Sequence, residues 1–144
     1  DIIKFLKNKL YDYKLLAKQK YLNIEFESNI DSFKIMIQPT LLNQIIQNFV
    51  QNAIKFTQEK GKIIIKATMD NKQIKIEVID EGIGCDEKID LFAPFQRKGK
   101  ESGTGLGLFL AKNASDTLGA TISIKNRNDG KRGTIATLYL NINF

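Results

Sequence analysis

The sequence contains no histidine. That absence excludes histidine as a nucleophile, a general base or a zinc ligand within this chain. Cys85 is its only cysteine, so no internal disulfide and no cysteine-cluster metal site can form, which fits a reducing, cytoplasmic setting. No apolar run reaches the ~18 residues read as a membrane-spanning helix. Nothing at the N-terminus reads as a signal peptide.

What is present is a chain of 144 residues, 42% hydrophobic, with a net charge of +6. That size and apolar content suit one compact domain with one core. The lysines are dispersed among acidic and apolar residues rather than gathered in a stripe. This is the pattern of a solvated surface, and no nucleic-acid partner is expected.

Over positions 1–21, Ile3, Leu6, Leu10, Tyr13 and Ala17 recur at alternating steps of three and four. This predicts a lysine-rich helix with a narrow, coiled-coil-like seam. It is read either as the tail of a longer helix or as a helix that packs on the domain. Strands are predicted near Asn23–Glu27 and Phe33–Ile37, and Pro39-Thr40 opens a long amphipathic helix to about Phe56. The strands Lys62–Met69 and Gln73–Ile79 follow, joined by a turn at Asp70-Asn71. A helix from about Thr104 ends at Gly119, and the strands Ala120–Lys125 and Thr134–Phe144 flank a turn over Asn126–Gly133. The expected fold is an α/β (α+β) two-layer sandwich, a mixed sheet with helices on one face. Residues 1–22 form its helical entry and residues 23–144 the domain proper.

In the Thr40–Phe56 helix, Leu42, Ile45, Ile46, Phe49, Val50 and Ala53 gather on one face. Asn48, Asn52 and Lys55 stack on the other, flanked by Gln44 and Gln51. A plain solvent face would produce a polar stripe too. Asparagine, however, costs roughly 0.6 kcal/mol against alanine inside a helix, and an ordinary exposed face favours Glu and Lys. A neutral amide oxygen is a hard ligand suited to Mg²⁺, which takes few protein ligands and completes its shell with water and phosphate oxygens.

Along Gln73–Ile79, Ile74, Ile76 and Val78 share one parity, and continuing it puts Asp80 on the apolar side. A carboxylate there needs a partner. It is either a turn former at the head of Asp80-Glu81-Gly82 or an acceptor for a buried donor such as the exocyclic amine of adenine. In the second case Gly82 and Gly84 would let a ligand approach the backbone. Further on, Gly103, Gly105 and Gly107 alternate just before the last helix. They form either a hinge or a set of open N–H groups that wrap an anion at the positive helix end. Neither the dinucleotide fingerprint nor the P-loop matches this spacing. Arg97, Lys98 and Lys100 lie between the two glycine groups, as phosphate clamps or as solvated loop charges.

The order of these motifs resembles that of histidine kinases. Asn48-Phe49-Val50-Gln51-Asn52-Ala53-Ile54-Lys55-Phe56-Thr57 is similar to their N box, and Asp80-Glu81-Gly82-Ile83-Gly84 to their G1 box. Leu91-Phe92-Ala93-Pro94-Phe95 is similar to the F box, and Gly103-Thr104-Gly105-Leu106-Gly107-Leu108 to the G2 box. The resemblance implies the ATP-binding sandwich shared with gyrase-type topoisomerases, heat-shock chaperones and mismatch-repair ATPases. It implies that Asn52 ligates Mg²⁺ with support from Asn48, that Lys55 contacts phosphate and that Phe56 packs near adenine. Asp80 would accept from the adenine amine, with Gly82 and Gly84 lining the base pocket. Arg97 would reach the γ-phosphate from a lid, and Gly103, Thr104, Gly105, Leu106, Gly107 and Leu108 would surround the phosphates. The N-terminal seam would be the end of a dimerisation helix.

The implied partners are a histidine-bearing dimerisation domain and then a response-regulator receiver domain, in a parent protein compatible with a membrane anchor. Hydrolysing relatives carry a glutamate one turn before the magnesium asparagine. Here that place is Asn48, whose amide cannot serve as a general base. The reading is therefore a kinase. The alternatives are a nucleotide-binding pseudokinase module and a hydrolase of the same superfamily. The chain departs from the family pattern in Gln38-Pro39-Thr40, where an acidic residue is common, in a short lid over Gln96–Ser102, and in lacking any histidine to phosphorylate.

Overall fold

The structure, a computed structural model, describes residues 1–70, 72–88, 90–93 and 106–142. The element order is α1 (Ile2–Lys18), β1 (Asn23–Ser28), α2 (Pro39–Phe56), β2 (Lys62–Met69), β3 (Gln73–Ile79), α3 (Gly107–Leu118), β4 (Thr121–Asn126) and β5 (Thr134–Asn141). The strands form one sheet in the order β1-β2-β3-β5-β4. It is parallel between β1 and β2 and antiparallel elsewhere, so the expected mixed sheet is what the chain forms.

Period-two alternation builds the core face of this sheet. Val78 stands opposite Ile65 and Ala136, and Ala136 opposite Ile124. In the next rung Ile76 stands opposite Ala67 and Leu138, and Leu138 opposite Ile122. Over these rungs α2 buries Leu42, Ile45, Ile46, Phe49, Val50 and Ala53, and α3 buries Ala111 and Ala114. Pro39 opens α2, where its missing N–H has no carbonyl to serve. Gly119 closes α3 in the left-handed conformation, φ 70°.

The seam of α1 faces inward. Ile3, Leu6, Tyr13 and Ala17 are buried in the same core as α2 and the sheet, and Leu10 packs against it. Asp1 caps the helix, its Oδ1 accepting from the N–H groups of Ile3 at 2.9 Å and Lys4 at 3.2 Å. Just past the helix, Lys20 Nζ donates to the carbonyls of Ile54 (2.8 Å) and Lys55 (3.2 Å). Those carbonyls belong to the last turn of α2, where a cation satisfies unpaired acceptors and the negative helix end together.

The predicted strand over residues 33–37 does not form. Phe33, Ile35 and Ile37 pack on the core while Lys34 and Met36 point outward, but the segment joins no sheet. The Ile2 N–H donates to the Phe33 carbonyl at 2.8 Å, which ties it to α1 instead. Alternation reports which side chains face inward, and an extended segment alternates whether or not a strand lies beside it. Among the described residues no helix is long and apolar enough to cross a membrane.

If α1 belongs to the core, Leu6→Ala costs what an interior truncation costs, about 2–5 kcal/mol. Urea unfolding measures this as a lower midpoint with an unchanged slope.

Candidate functional site

Three segments meet at one end of the sheet. The first is the polar stripe of α2. Asn48 and Asn52 are half-buried there, as is Lys55, whose ammonium lies 5.4 Å from the centroid of the Phe56 ring. Asn48 Nδ2 donates to the Gln44 carbonyl one turn back at 2.7 Å. The Asn52 amide makes no hydrogen bond among the described residues.

The second segment is the chain leaving β3. Asp80 is 6% exposed, on the core-facing parity that its sequence predicts. Its Oδ1 accepts from the Gly82 N–H at 2.8 Å and the Thr134 N–H at 3.0 Å, while Oδ2 accepts no hydrogen bond among the described residues. Burial pushes the carboxyl pKa up. The two N–H groups and the nearby Arg127 guanidinium oppose that rise without cancelling it.

The third segment is the start of α3. Leu106 gives its N-terminus no side-chain cap, and a helix start carries the positive end of the peptide dipoles. Gly107 is pressed against α2, since a Cβ there would stand 2.9 Å from Asn48 Oδ1. Gly107 therefore brings the asparagine stripe and the glycine-rich motif together.

Gly82 and Gly84 have a similar reason to be glycine. A Cβ on Gly82 would lie 2.6 Å from the Phe56 carbonyl oxygen, and one on Gly84, at φ 85°, would lie 2.7 Å from Asn126 Oδ1. At both positions the space a side chain would take is filled by the protein itself, where the sequence suggested room for a ligand. Leu108 packs on the core, as does Phe92 of the Leu91–Phe95 motif. Arg97, Lys98, Lys100, Gly103, Thr104 and Gly105 lie outside the described residues, as do Pro94 and Phe95. Among the described residues no group of three or more His, Cys, Asp or Glu could hold a metal ion, so a cation here would depend on amide oxygens and on its ligand's own anions.

Residues of the turn predicted over Asn126–Gly133 also converge here. Asp80 N–H donates to the Thr134 carbonyl at 3.0 Å, and Thr134 stands opposite Asn126. Asp80, Thr134 and Asn126 thus form the next rung beyond Val78, Ala136 and Ile124. Arg127 Nη1 donates to the Asp80 carbonyl at 3.1 Å, and Arg127 is itself held by Asp129, Nη2 to Oδ2 at 2.7 Å. The signal was available in the sequence, because Ile122, Ile124 and Asn126 share a parity just as Val78 and Asp80 do.

A mixed sheet backed by helices, with an amide stripe, a buried carboxylate and the start of a helix brought to one end, defines a two-layer α/β domain. Residues 37–143 match the family described as histidine kinase-, DNA gyrase B-, and HSP90-like ATPase, and the chain belongs to that family. It is similar to histidine kinase P4 of Formosa agariphila, with 30% identity over 150 residues covering 97% of this chain and 11% of that protein. Among solved structures it is similar to the catalytic domain of histidine kinase ThkA, with a TM-score of 0.83, 22% identity, and coverage of 98% of this chain and 93% of that one. It is also similar to ThkA in complex with the response regulator TrrA, with a TM-score of 0.80, 22% identity, and coverage of 96% of this chain and 39% of that one. The chain spans 10–27% of the length of the first three curated relatives that it matches.

The raised pKa of Asp80 has a consequence for stability. Above both its folded and unfolded values the buried carboxylate is ionised and costs stability. That cost is relieved as pH falls through the raised folded value and is gone below the unfolded one. Asp80→Asn keeps an Oδ1 acceptor without the charge, so at neutral pH it unfolds at equal or higher denaturant than wild type. Its advantage shrinks on acidification, and paired denaturant titrations at neutral and acidic pH measure this.

Proposed function

We propose that this chain binds Mg-ATP and transfers the γ-phosphate to a histidine on a dimerisation domain, as the catalytic part of a two-component sensor kinase. The observation that carries the reading is Asn48. It stands one turn before Asn52, its Nδ2 is committed to the Gln44 carbonyl, and its neutral amide cannot take a proton from water. Hydrolysis is thereby disfavoured, and the terminal phosphate is kept for a nucleophile supplied from outside. The absence of histidine from the chain requires that nucleophile to come from another segment or another polypeptide.

The roles follow from the chemistry of each group. Asp80 Oδ2 accepts from the adenine amine while Oδ1 is occupied by protein N–H groups. Phe56 lies against the base edge of the cleft, where the Gly82–Phe56 approach closes the wall. Gly84 shapes the same turn. The Asn52 amide oxygen is the ligand for Mg²⁺, supported by Asn48, and its lack of a partner among the described residues fits that use. When bound, the metal would offset charge on the phosphate oxygens. Lys55 pairs with phosphate from α2, and Arg97 approaches the γ-phosphate. Gly103, Thr104, Gly105, Leu106, Gly107 and Leu108 enclose the phosphate chain at the start of α3. With the leaving and attacking groups held in line, transfer rests on positioning and charge stabilisation. The α1 helix is the segment that joins this domain to the dimerisation helices, and a response-regulator receiver is the next acceptor.

Two measurements test this. Asp80→Asn places an amide donor opposite the adenine amine and weakens Mg-ATP binding on the order of 10- to 100-fold by calorimetry; unchanged affinity sinks the adenine role. Adding the parent's histidine-bearing dimerisation domain with γ-labelled ATP gives acid-labile label on that domain and little free phosphate. Binding without transfer would leave a pseudokinase module, and rapid phosphate release by the chain alone would indicate a hydrolase.

A further inference from the structure

In the nucleotide reading Asp80 meets the base through one oxygen, so the turn that follows it must keep its shape. Part of its support comes from the end of β4. Asn126 Oδ1 accepts from the Cys85 N–H at 2.7 Å, and Asn126 Nδ2 donates to the Cys85 carbonyl at 2.9 Å. That is the pair of bonds a strand backbone would make with its neighbour, supplied here by one side chain. The Asn126 N–H also donates to Glu87 Oε1 at 2.8 Å. Gly84 makes room for the arrangement, because a Cβ there would crowd Asn126 Oδ1.

The other end of the turn is anchored from the same hairpin. Arg127, its side chain 8% exposed, donates to the Asp80 carbonyl. Gly133, at φ 141°, has no Cβ to collide with that same carbonyl oxygen.

We propose that Asn126 is a positioning residue for base recognition, with Arg127 as the second anchor. Together they strap the turn between Asp80 and Glu87 to the β4–β5 hairpin, so that Asp80 Oδ2 and the turn backbone keep the geometry an adenine edge requires. This rests on the nucleotide reading above. Among the described residues Asn126 and Arg127 hydrogen-bond to the turn after Asp80 and to their own hairpin, and to neither α2 nor the start of α3, from which the phosphate contacts would come. Loosening the strap therefore separates the two ends of the ligand.

The test is calorimetry of Mg-ATP and Mg-tripolyphosphate with wild type, Asn126→Ala and Asn126→Asp, each checked for a cooperative thermal transition. Asn126→Ala weakens Mg-ATP about tenfold and leaves tripolyphosphate within about twofold of wild type. Asn126→Asp keeps the acceptor for the Cys85 N–H and loses the donor, so it falls between; it also decides the matter if the alanine variant does not fold. Unchanged Mg-ATP affinity in a folded Asn126→Ala variant overturns the inference. So does equal weakening of both ligands, which marks a general structural role. A wild-type chain that binds tripolyphosphate but not ATP in preference to it overturns the adenine reading itself, a result distinct from either.

Discussion

A carboxylate at the end of a β-strand, on the face that packs against helices, is an expensive placement, and the arrangement around Asp80 answers that cost. Removing the charge from water is offset only where donors replace the lost hydration. Oδ1 receives two backbone N–H groups, one from its own turn and one from β5. The second donor lies 54 positions from Asp80 in sequence, so the carboxylate is tolerable only when the sheet has already formed. The same requirement brings β3, β5 and the β4–β5 hairpin to one place, and Oδ2 accepts no hydrogen bond among the described residues. Fold and site therefore meet at one buried carboxyl group.

The glycines belong to this constraint more than to any freedom of the chain. Gly82 lies against the Phe56 carbonyl, Gly84 against Asn126 and Gly107 against Asn48. Each removes a Cβ from a place where two elements approach more closely than side chains allow. This end of the sheet is thus held by direct contacts between its elements. A substitution at any of the three would push those elements apart.

The long helix α2 serves both layers. One face buries six apolar side chains against the sheet and the other carries the amide stripe, so the packing that holds the helix also orients Asn48, Asn52 and Lys55. Its last turn is further tied by Lys20, which follows α1. A residue just past the first helix therefore caps α2, and α1 is connected to it through two hydrogen bonds and a shared core.

Periodicity in the sequence determined most of the elements and the faces they present. Lys62–Met69, Gln73–Ile79 and the helix beginning at Pro39 lie where the pattern places them, because burial of alternate or three-and-four-spaced apolar residues is a local signal. The same parity put Asp80 on the core face before any partner for it was visible. Pairing was not legible. Phe33–Ile37 alternates like a strand yet joins no sheet, since side-chain alternation carries no information about which backbone, if any, lies alongside. Nor could the sequence show that Gly84 yields to Asn126 rather than to a ligand, or that Arg127 reaches Asp80 from 47 positions away. Those contacts exist only because antiparallel pairing folds the β4–β5 hairpin back onto the end of β3, and that is a decision of the tertiary structure.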